Sequence, residues 1–504
     1  MVAPVTLAPA AQKVSRDAGS RRGSLSHFRP PFTFSLEQQI GERILSQGRS
    51  ADLAANDWAA NSGVNSITIN AVGTGLRPQS HLDFKRLGIS REAALKLQSD
   101  IEAVWKEWTA EAHTRGELHF EDLQFLGLRG MLHAGELLHL PVMLRGQGRK
   151  IELSIQDVLP SRLCTPLDKI TDTSIVDGVE RNHYGAPEAY WLATPNNTFS
   201  RAMSGSWNFS SLTSDQFTRI PARIAHRPGC FHLFRHNDEE QVRGESILAP
   251  GMNLFRHLSD ALDNELLAAV TQAAYAMTIT TEPQITPPGY EEEDGDGEKR
   301  HYEEVRGGTV MYLNKGEHAD THESGRPSPN FAVFCEFVMR AMAASLGISY
   351  EVLAKDFSKT NYSSARAALL EAWRVYLLYR SWLTNHYCQP IWNMVIEEAW
   401  LSGLITLPSG APDFYDARFL YTQALWIGPP RGYVDPVKEI SATVTALENR
   451  LMTYSEALAE RGRDFDETMD EREEEEERLA RFATHPTKPS TYKEEKQEEQ
   501  NAPV

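Results

Sequence analysis

The chain is poor in cysteine, with Cys164, Cys230, Cys335 and Cys388 far apart in 504 residues and no CxxC pair. That spacing excludes a disulfide framework or a zinc knuckle and leaves reduced thiols as the expectation. Long apolar runs are missing too. The most apolar helix-like run, LLAAVTQAAYAM, has 12 residues, against the roughly 20 that a membrane-spanning helix needs. The N-terminal MVAPVTLAPAAQKVSRDAGSRRGS lacks the apolar core of a signal peptide, so neither a membrane span nor an export signal is expected. Positive charge is in deficit, 51 Lys and Arg against 69 Asp and Glu for a net of −18. This argues against a protein that grips nucleic acid over most of its surface, but it does not exclude one that handles DNA without holding it.

Common chemistry is absent as well. No GxxxxGK[ST] loop exists, nor any Gly-Lys dipeptide, and HExxH and GxSxG do not occur, so a P-loop motor or a hydrolase of either common type is not expected. At 41% hydrophobic and 24% charged residues the composition is globular. The length predicts two to four sub-domains.

Residues 1 to about 30 and the tail from Thr484 lack periodicity and read as disordered. Glu37 to Gly63 and Arg91 to Glu111 read as helices, the second with Ala94, Leu97, Ile101, Val104 and Trp108 on one face. VMLRG, KIELSIQDVL and EAYWLA read as strands, making the region to about Ser246 mixed α and β; their short lengths and irregular spacing leave the topology open. From Asn253, Leu254, Leu258, Leu262, Leu266, Val270, Ala274 and Met277 predict a helix to Thr281, roughly 40 Å long. A second helix is predicted with Ser328 as N-cap and Pro329 in its first turn, ending at Gly347. Between them lie an acidic loop, Glu291 to Glu298, and a strand, TVMYL. A further helix, apolar almost all round, runs from Ser363 towards Leu401 with a bend expected at Pro390. Such a helix belongs in a core or a subunit interface. From Asp435 to about Arg481 the chain reads as helical and strongly acidic.

Candidate metal ligands are weak. His318, Asp320, His322 and Glu323 could project from an extended strand, but their Gly- and Ser-rich context reads as a solvated loop. His232 and His236 stand one helical turn apart, a spacing that suits zinc, yet the structural reading is favoured. DGDGE at Asp294 lacks the later Glu of a calcium loop. GTG at Gly73 follows the strand-like SITINAV but runs into Pro, so a tight turn is expected rather than a dinucleotide-binding turn.

KDFSKTNYSSARAALLEAWR, Lys355 to Arg374, joins a basic, hydroxyl-rich loop to strong helix formers. It belongs to a series of motifs in order along the chain: NAVGTGLRPQ, IEAVWKEW, RGMLHAGELL, DGVERNHYGAPEAYWL, RIPARIAH, QVRGES, GISYEVLAKDFSKTNYSSAR and VDPVKE. In these the sequence resembles the lambda family of phage portal proteins. The resemblance implies an α+β portal fold. Its parts would be an N-terminal arm (1–30), a mixed α/β wing (31–252), stem helices (253–281 and 330–346) and a small β-containing clip (282–329). A tunnel loop (347–362), a long wing helix with its return segment (363–433), an α-helical acidic crown (434–482) and a tail (483–504) would follow.

It further implies a non-catalytic, cofactor-free ring, commonly of twelve copies, at one capsid vertex of the virion, assembled in the host cytoplasm. Double-stranded DNA would be pumped through it by the terminase large subunit. Its other partners would be major capsid and scaffold proteins and head-completion or tail connector proteins. Lys355, Asp356, Ser358, Lys359, Thr360 and Asn361 would face the channel, the two lysines touching DNA lightly, with surface pairing to Asp356 or Glu351 as the plain alternative. Arg366 reads as an interface or intrasubunit anchor. A wall that attracted phosphates strongly would impede sliding, which fits the acidic composition. A metal-dependent enzyme using a His cluster and a host acidic scaffold or adaptor are the competing classes.

Overall fold

The structure, a computed structural model, describes residues 36–146, 148–194, 212–274, 278–281, 290–293, 299–302, 317–320, 330–432 and 436–483. Two helices open it, α1 (Leu36–Asn56) and α2 (Trp58–Ala71). They replace the single helix expected over Glu37 to Gly63. Asp57 divides them as N-cap, its carboxylate accepting from the Ala60 N–H at 2.7 Å. SITINAV is not a strand but largely the end of α2, because burial of Ile67, Thr68 and Ala71 in the core overrides the strand preference of its β-branched residues. The tight turn after it is present: Gly73 and Gly75 have φ of 57° and 113°, and a Cβ on Gly75 would lie 2.3 Å from the Glu121 side chain.

Then come β1 (Arg77–Ser80), α3 (Phe84–Leu87), α4 (Arg91–Ala110), α5 (Phe120–Ala134), β2 (Glu136–Met143) and β3 (Leu153–Asp157). The expected stripe on α4 is buried at Ala94, Leu97, Ile101 and Trp108. A four-stranded antiparallel sheet in sequential order contains β4 (Ile175–Val176), β5 (Val179–Arg181), β6 (Pro187–Ala193) and β7 (Phe217–Pro221). The short hairpin β8 (Arg223–Ile224) and β9 (Arg227–Pro228) leads to β10 (Phe231–Phe234), which joins β2 and β3 in the order β10-β2-β3. Because His232 lies in this strand, His236 is not one helical turn from it.

The helix α6 spans Met252–Ala274. It stops short of Thr281, since the β-branched TITT forms β11 (Thr278–Thr281) instead. The acidic stretch is partly strand: β12 (Tyr290–Glu293) pairs with β13 (Lys299–Tyr302), and β14 (Glu317–Asp320) pairs back on β11. Residues 294–298, TVMYL, His322, Glu323, Ser328 and Pro329 lie outside the described residues. The returning helix α7 is Phe331–Leu346 with Asn330 at its N-cap.

The segment read as a tunnel loop contains a short helix, α8 (Tyr350–Ala354), before α9 (Tyr362–Leu383). The bend expected at Pro390 is a π-turn, Thr384–Cys388, just before α10 (Gln389–Leu401). Pro390 cannot donate into the helix ladder, and the wider turn absorbs the missing bond. The chain closes with α11 (Arg418–Tyr421), β15 (Ala424–Ile427), α12 (Pro436–Glu448), α13 (Tyr454–Ala459) and α14 (Phe465–Ala483). β15 pairs with β1, far away in sequence.

Two smaller clusters, around Val179 and Tyr190 and around Ala193 and Phe217, pack the four-stranded sheet. The main core is centred on α10 and the π-turn, where Tyr387, Cys388, Ile391 and Trp392 are fully buried. Trp105, Trp108, Phe120 and Trp426 pack edge-on or tilted in the same aromatic cluster. The four cysteines form no disulfide.

Candidate functional site

The junction opened by Lys355 is a braced loop on a clamped helix. α7 ends at Gly347, whose left-handed backbone (φ 72°) lets its N–H reach the Ala343 and Ala344 carbonyls. The chain turns through α8 to Lys355, a non-glycine residue at φ 57°. That turn sends the Lys355 ammonium to Ser66 Oγ on α2, where partial burial lowers its pKa. The hydroxyl and amide residues then bond locally. Asp356 accepts from the Ser358 N–H at 2.9 Å, Thr360 Oγ1 donates to the Phe357 carbonyl at 3.0 Å, and Asn361 caps α9 by accepting from the Ser364 N–H at 2.8 Å. Asn361→Ala should therefore loosen the loop at a cost of about 1 kcal/mol, seen as faster amide exchange in residues 356–366 with the core unchanged.

Lys359 reaches α7 rather than either residue expected on sequence grounds. Its ammonium lies 2.9 Å from the Glu336 carboxylate, which also receives Arg340 at 2.7 Å. Arg340 in turn lies over the Tyr350 ring, 5.7 Å from its centroid. Glu336 is held below the usual carboxylate range, mainly by the Lys359 hydrogen bond, and Lys359 is raised by the same contact. The Ser358 hydrogen bonds likewise lower Asp356. Arg366 is half-buried on α9. Every cation of the loop itself thus has a partner within the subunit.

The mount is fixed by Arg380 of α9, half-buried and with no carboxylate partner among the described residues. Its guanidinium donates to the carbonyls of Asn70, Ala71 and Pro429 at 2.9 to 3.0 Å and stacks on Trp373. Loss of solvent pushes its pKa down to about 10. One side chain ties α9 to the end of α2, where exposed carbonyls carry partial negative charge, and to the segment after β15. Gly428 leaves room for it: a Cβ there would sit 2.7 Å from Arg380 Cζ.

Three sequence motifs meet in a second buried assembly. Glu136 from RGMLHAGELL takes Arg243 from QVRGES through both oxygens. Arg243 continues to Asp177 of DGVERN at 3.4 Å and to the Leu163, Asp177 and Pro160 carbonyls. Arg43 of α1 closes on Asp177 at 2.6 Å, and His232 hydrogen-bonds Glu136 at 2.8 Å. Burial pushes Glu136 up, but Arg243 and His232 outweigh it and hold the carboxyl well below its usual range. Burial lowers His232 despite Glu136. His226 of RIPARIAH similarly meets Glu397, which also binds Arg227, Arg418 and Tyr415.

His232 is thus a strand residue in an ion-pair assembly. His318 and Asp320 lie in β14. Among the described residues no group of three or more His, Cys, Asp and Glu is arranged to hold a metal. Reading the sequence missed Arg43, Glu136, Glu336 and Glu397 as partners. A lone Glu opening the apolar run ELLHL was the available signal for the second.

A sequence model described as phage portal protein, lambda family, matches residues 25–380. The chain is 26% identical over 473 residues to the portal protein of Escherichia phage N15, covering 89% of this chain and 87% of that protein. It is 25% identical to portal protein B of Escherichia phage lambda over 469 residues, covering 88% and 86%. Among solved structures it is similar to a chain in the virion of a native gene transfer agent particle, with a TM-score of 0.39 and 12% identity over 83% of this chain and 97% of that one. With a family model covering well over half of its length, the chain belongs to the lambda family of phage portal proteins.

Proposed function

We propose that this chain is the portal of a phage capsid, a non-catalytic ring through which double-stranded DNA passes, with the Lys355–Asn361 segment as its channel loop. The observation that carries this reading is that both lysines of the loop are already engaged within the subunit. Lys359 is matched by Glu336, and Lys355 is drawn back to Ser66. A channel lined this way offers phosphates only exchangeable contacts, because an ion pair at the surface such as Lys359 and Glu336 gains little in water and a passing phosphate can replace the carboxylate.

In this reading α6 and α7 are the stem, the paired strands β11–β14 and β12–β13 belong to the clip, α9 and α10 form the wing helix, and α12 to α14 the crown. Arg366 on α9 would serve as an interface or intrasubunit anchor. The exposed Leu266, Leu267 and Val270 of α6, Val333, Phe334 and Phe337 of α7, and Leu370, Leu377 and Leu378 of α9 supply apolar faces for neighbouring copies. The motor, shell, scaffold and tail proteins expected from the sequence remain the proposed partners. No helix of the described residues is long and apolar enough to cross a membrane.

Replacing Lys355 and Lys359 together with Ala should leave rings intact in negative-stain images while reducing DNA retained in filled heads. Loss of rings would assign the lysines to assembly, and normal retention would remove them from the channel contacts.

A further inference from the structure

Glu336 on α7 holds two cations, and it holds them unequally. Arg340 lies one turn further along the same helix, 2.7 Å from the carboxylate, in the favourable order with the acid N-terminal to the base. Its guanidinium is also steadied over the Tyr350 ring. Lys359 instead reaches Glu336 from the loop, on a flexible four-carbon stem with a single ammonium at its end. The exposures decide which partner moves: the Glu336 side chain is 15% exposed and the Lys359 side chain 68%. The lysine can swing outward while the carboxylate stays in place.

Its departure strands no acid. Glu336 keeps Arg340, so one contact is broken and no buried group is orphaned. The local charge does change. Glu336 and Asp356 balance Arg340 and Lys359, and once Lys359 has left, the two acids outnumber the remaining base. Both acids act on the Lys359 ammonium, Glu336 foremost through its hydrogen bond. A phosphate that has drawn Lys359 out therefore faces an acidic surface, which repels it and attracts the ammonium back.

We propose that Glu336 is the return element of the channel loop: it yields Lys359 to a DNA phosphate and, with Asp356 behind it and Arg340 keeping it paired, recaptures the lysine as the phosphate moves on. This rests on the channel reading of Lys355–Asn361 and adds to it a positioning residue outside the loop, on α7, that sets how long each contact lasts. Without that carboxylate Lys359 loses its nearest counter-charge, and a passing contact becomes an adhesive one.

Two measurements on the purified full chain test this: the rate at which an amine-reactive reagent acylates Lys359, read by peptide mass, and the affinity for a short labelled DNA duplex at low ionic strength. Glu336→Gln keeps an acceptor for Arg340 and removes the charge. Acylation of Lys359 should rise about threefold and the duplex should bind about fivefold more tightly, with a steeper salt dependence. Adding Lys359→Ala should abolish the gain in affinity. An unchanged acylation rate, an unchanged affinity, or a gain that survives Lys359→Ala each overturns the proposal. So does an equal gain from Glu371→Gln, which removes a carboxylate from a surface pair with Arg374 on α9, since net charge alone would then explain the effect. Bound duplex should also protect Lys359 from acylation. Protection in neither protein overturns the channel reading and the proposal with it, whereas protection without any change in affinity removes the proposal alone.

Discussion

Arg243→Ala should be among the most destabilising single changes in this protein, at about 3–5 kcal/mol, because it strips a fully buried carboxylate of its main cation. Glu136 has no exposure, and Arg243 is almost as buried. The guanidinium also satisfies the Leu163, Asp177 and Pro160 carbonyls, so its removal orphans several acceptors as well as a charge. Glu136→Gln combined with Arg243→Met removes both charges, and its cost should fall below the sum of the two single changes. Thermal melts are the measurement, with Arg219→Ala as the comparison: that residue pairs with Glu180 at the surface and should cost about 1 kcal/mol or less. Equal shifts for Arg243→Ala and Arg219→Ala would show that the buried assembly contributes no more than a surface pair. The pH sign follows from the depressed Glu136 pKa. Its contribution is present above the ordinary Glu pKa of about 4.5 and is lost as pH falls through the lower folded value.

Glu102→Gln should act in the opposite direction and stabilise the protein. Burial, followed by the nearby Asp464, Asp466 and Glu467, raises the Glu102 pKa to about 7 while the Ser80 hydrogen bond opposes the shift. The fold therefore favours the protonated acid. No cost exists below pH 4.5; it grows between 4.5 and 7 and stays constant above 7. A shift of that size corresponds to up to about 3 kcal/mol, reduced to about 1–2 by the partial exposure of the group. Glutamine keeps an acceptor for the Ser80 N–H without the charge. The variant should melt several degrees higher at pH 8 and nearly together with the unaltered chain at pH 5. A gain of the same size at both pH values would rule out ionisation as its source.

These two sites mark how far the sequence could be read. Helices with a clear face were legible: the α4 stripe and the Gly347 terminus of α7 are where periodicity and capping place them. Elements decided by distant partners were not. SITINAV has the composition of a strand, and only burial in the core makes it helical. β1 takes β15 from almost 350 residues away, a pairing that no local pattern announces. In the candidate loop the local bonds of Asp356 and Asn361 follow from residue type, since short polar side chains reach their own backbone. The commitments of Lys355 to Ser66 and Lys359 to Glu336 depend on two other helices packing beside the loop, and sequence proximity pointed to the wrong acids.

The π-turn at Thr384–Cys388 sets which way the long helix looks. Closing from the Gln389 N–H to the Thr384 carbonyl, it holds one residue more than an α-turn. Each residue advances the helix by roughly 100°, so the apolar rows before and after the turn do not line up. Before it, Leu370, Leu377 and Leu378 face outward; after it, Ile391, Trp392, Val395 and Ala399 are sealed inside. The rod is keyed like a shaft with two offset cams, one end shaped to drive against its surroundings and the other locked into its own bearing.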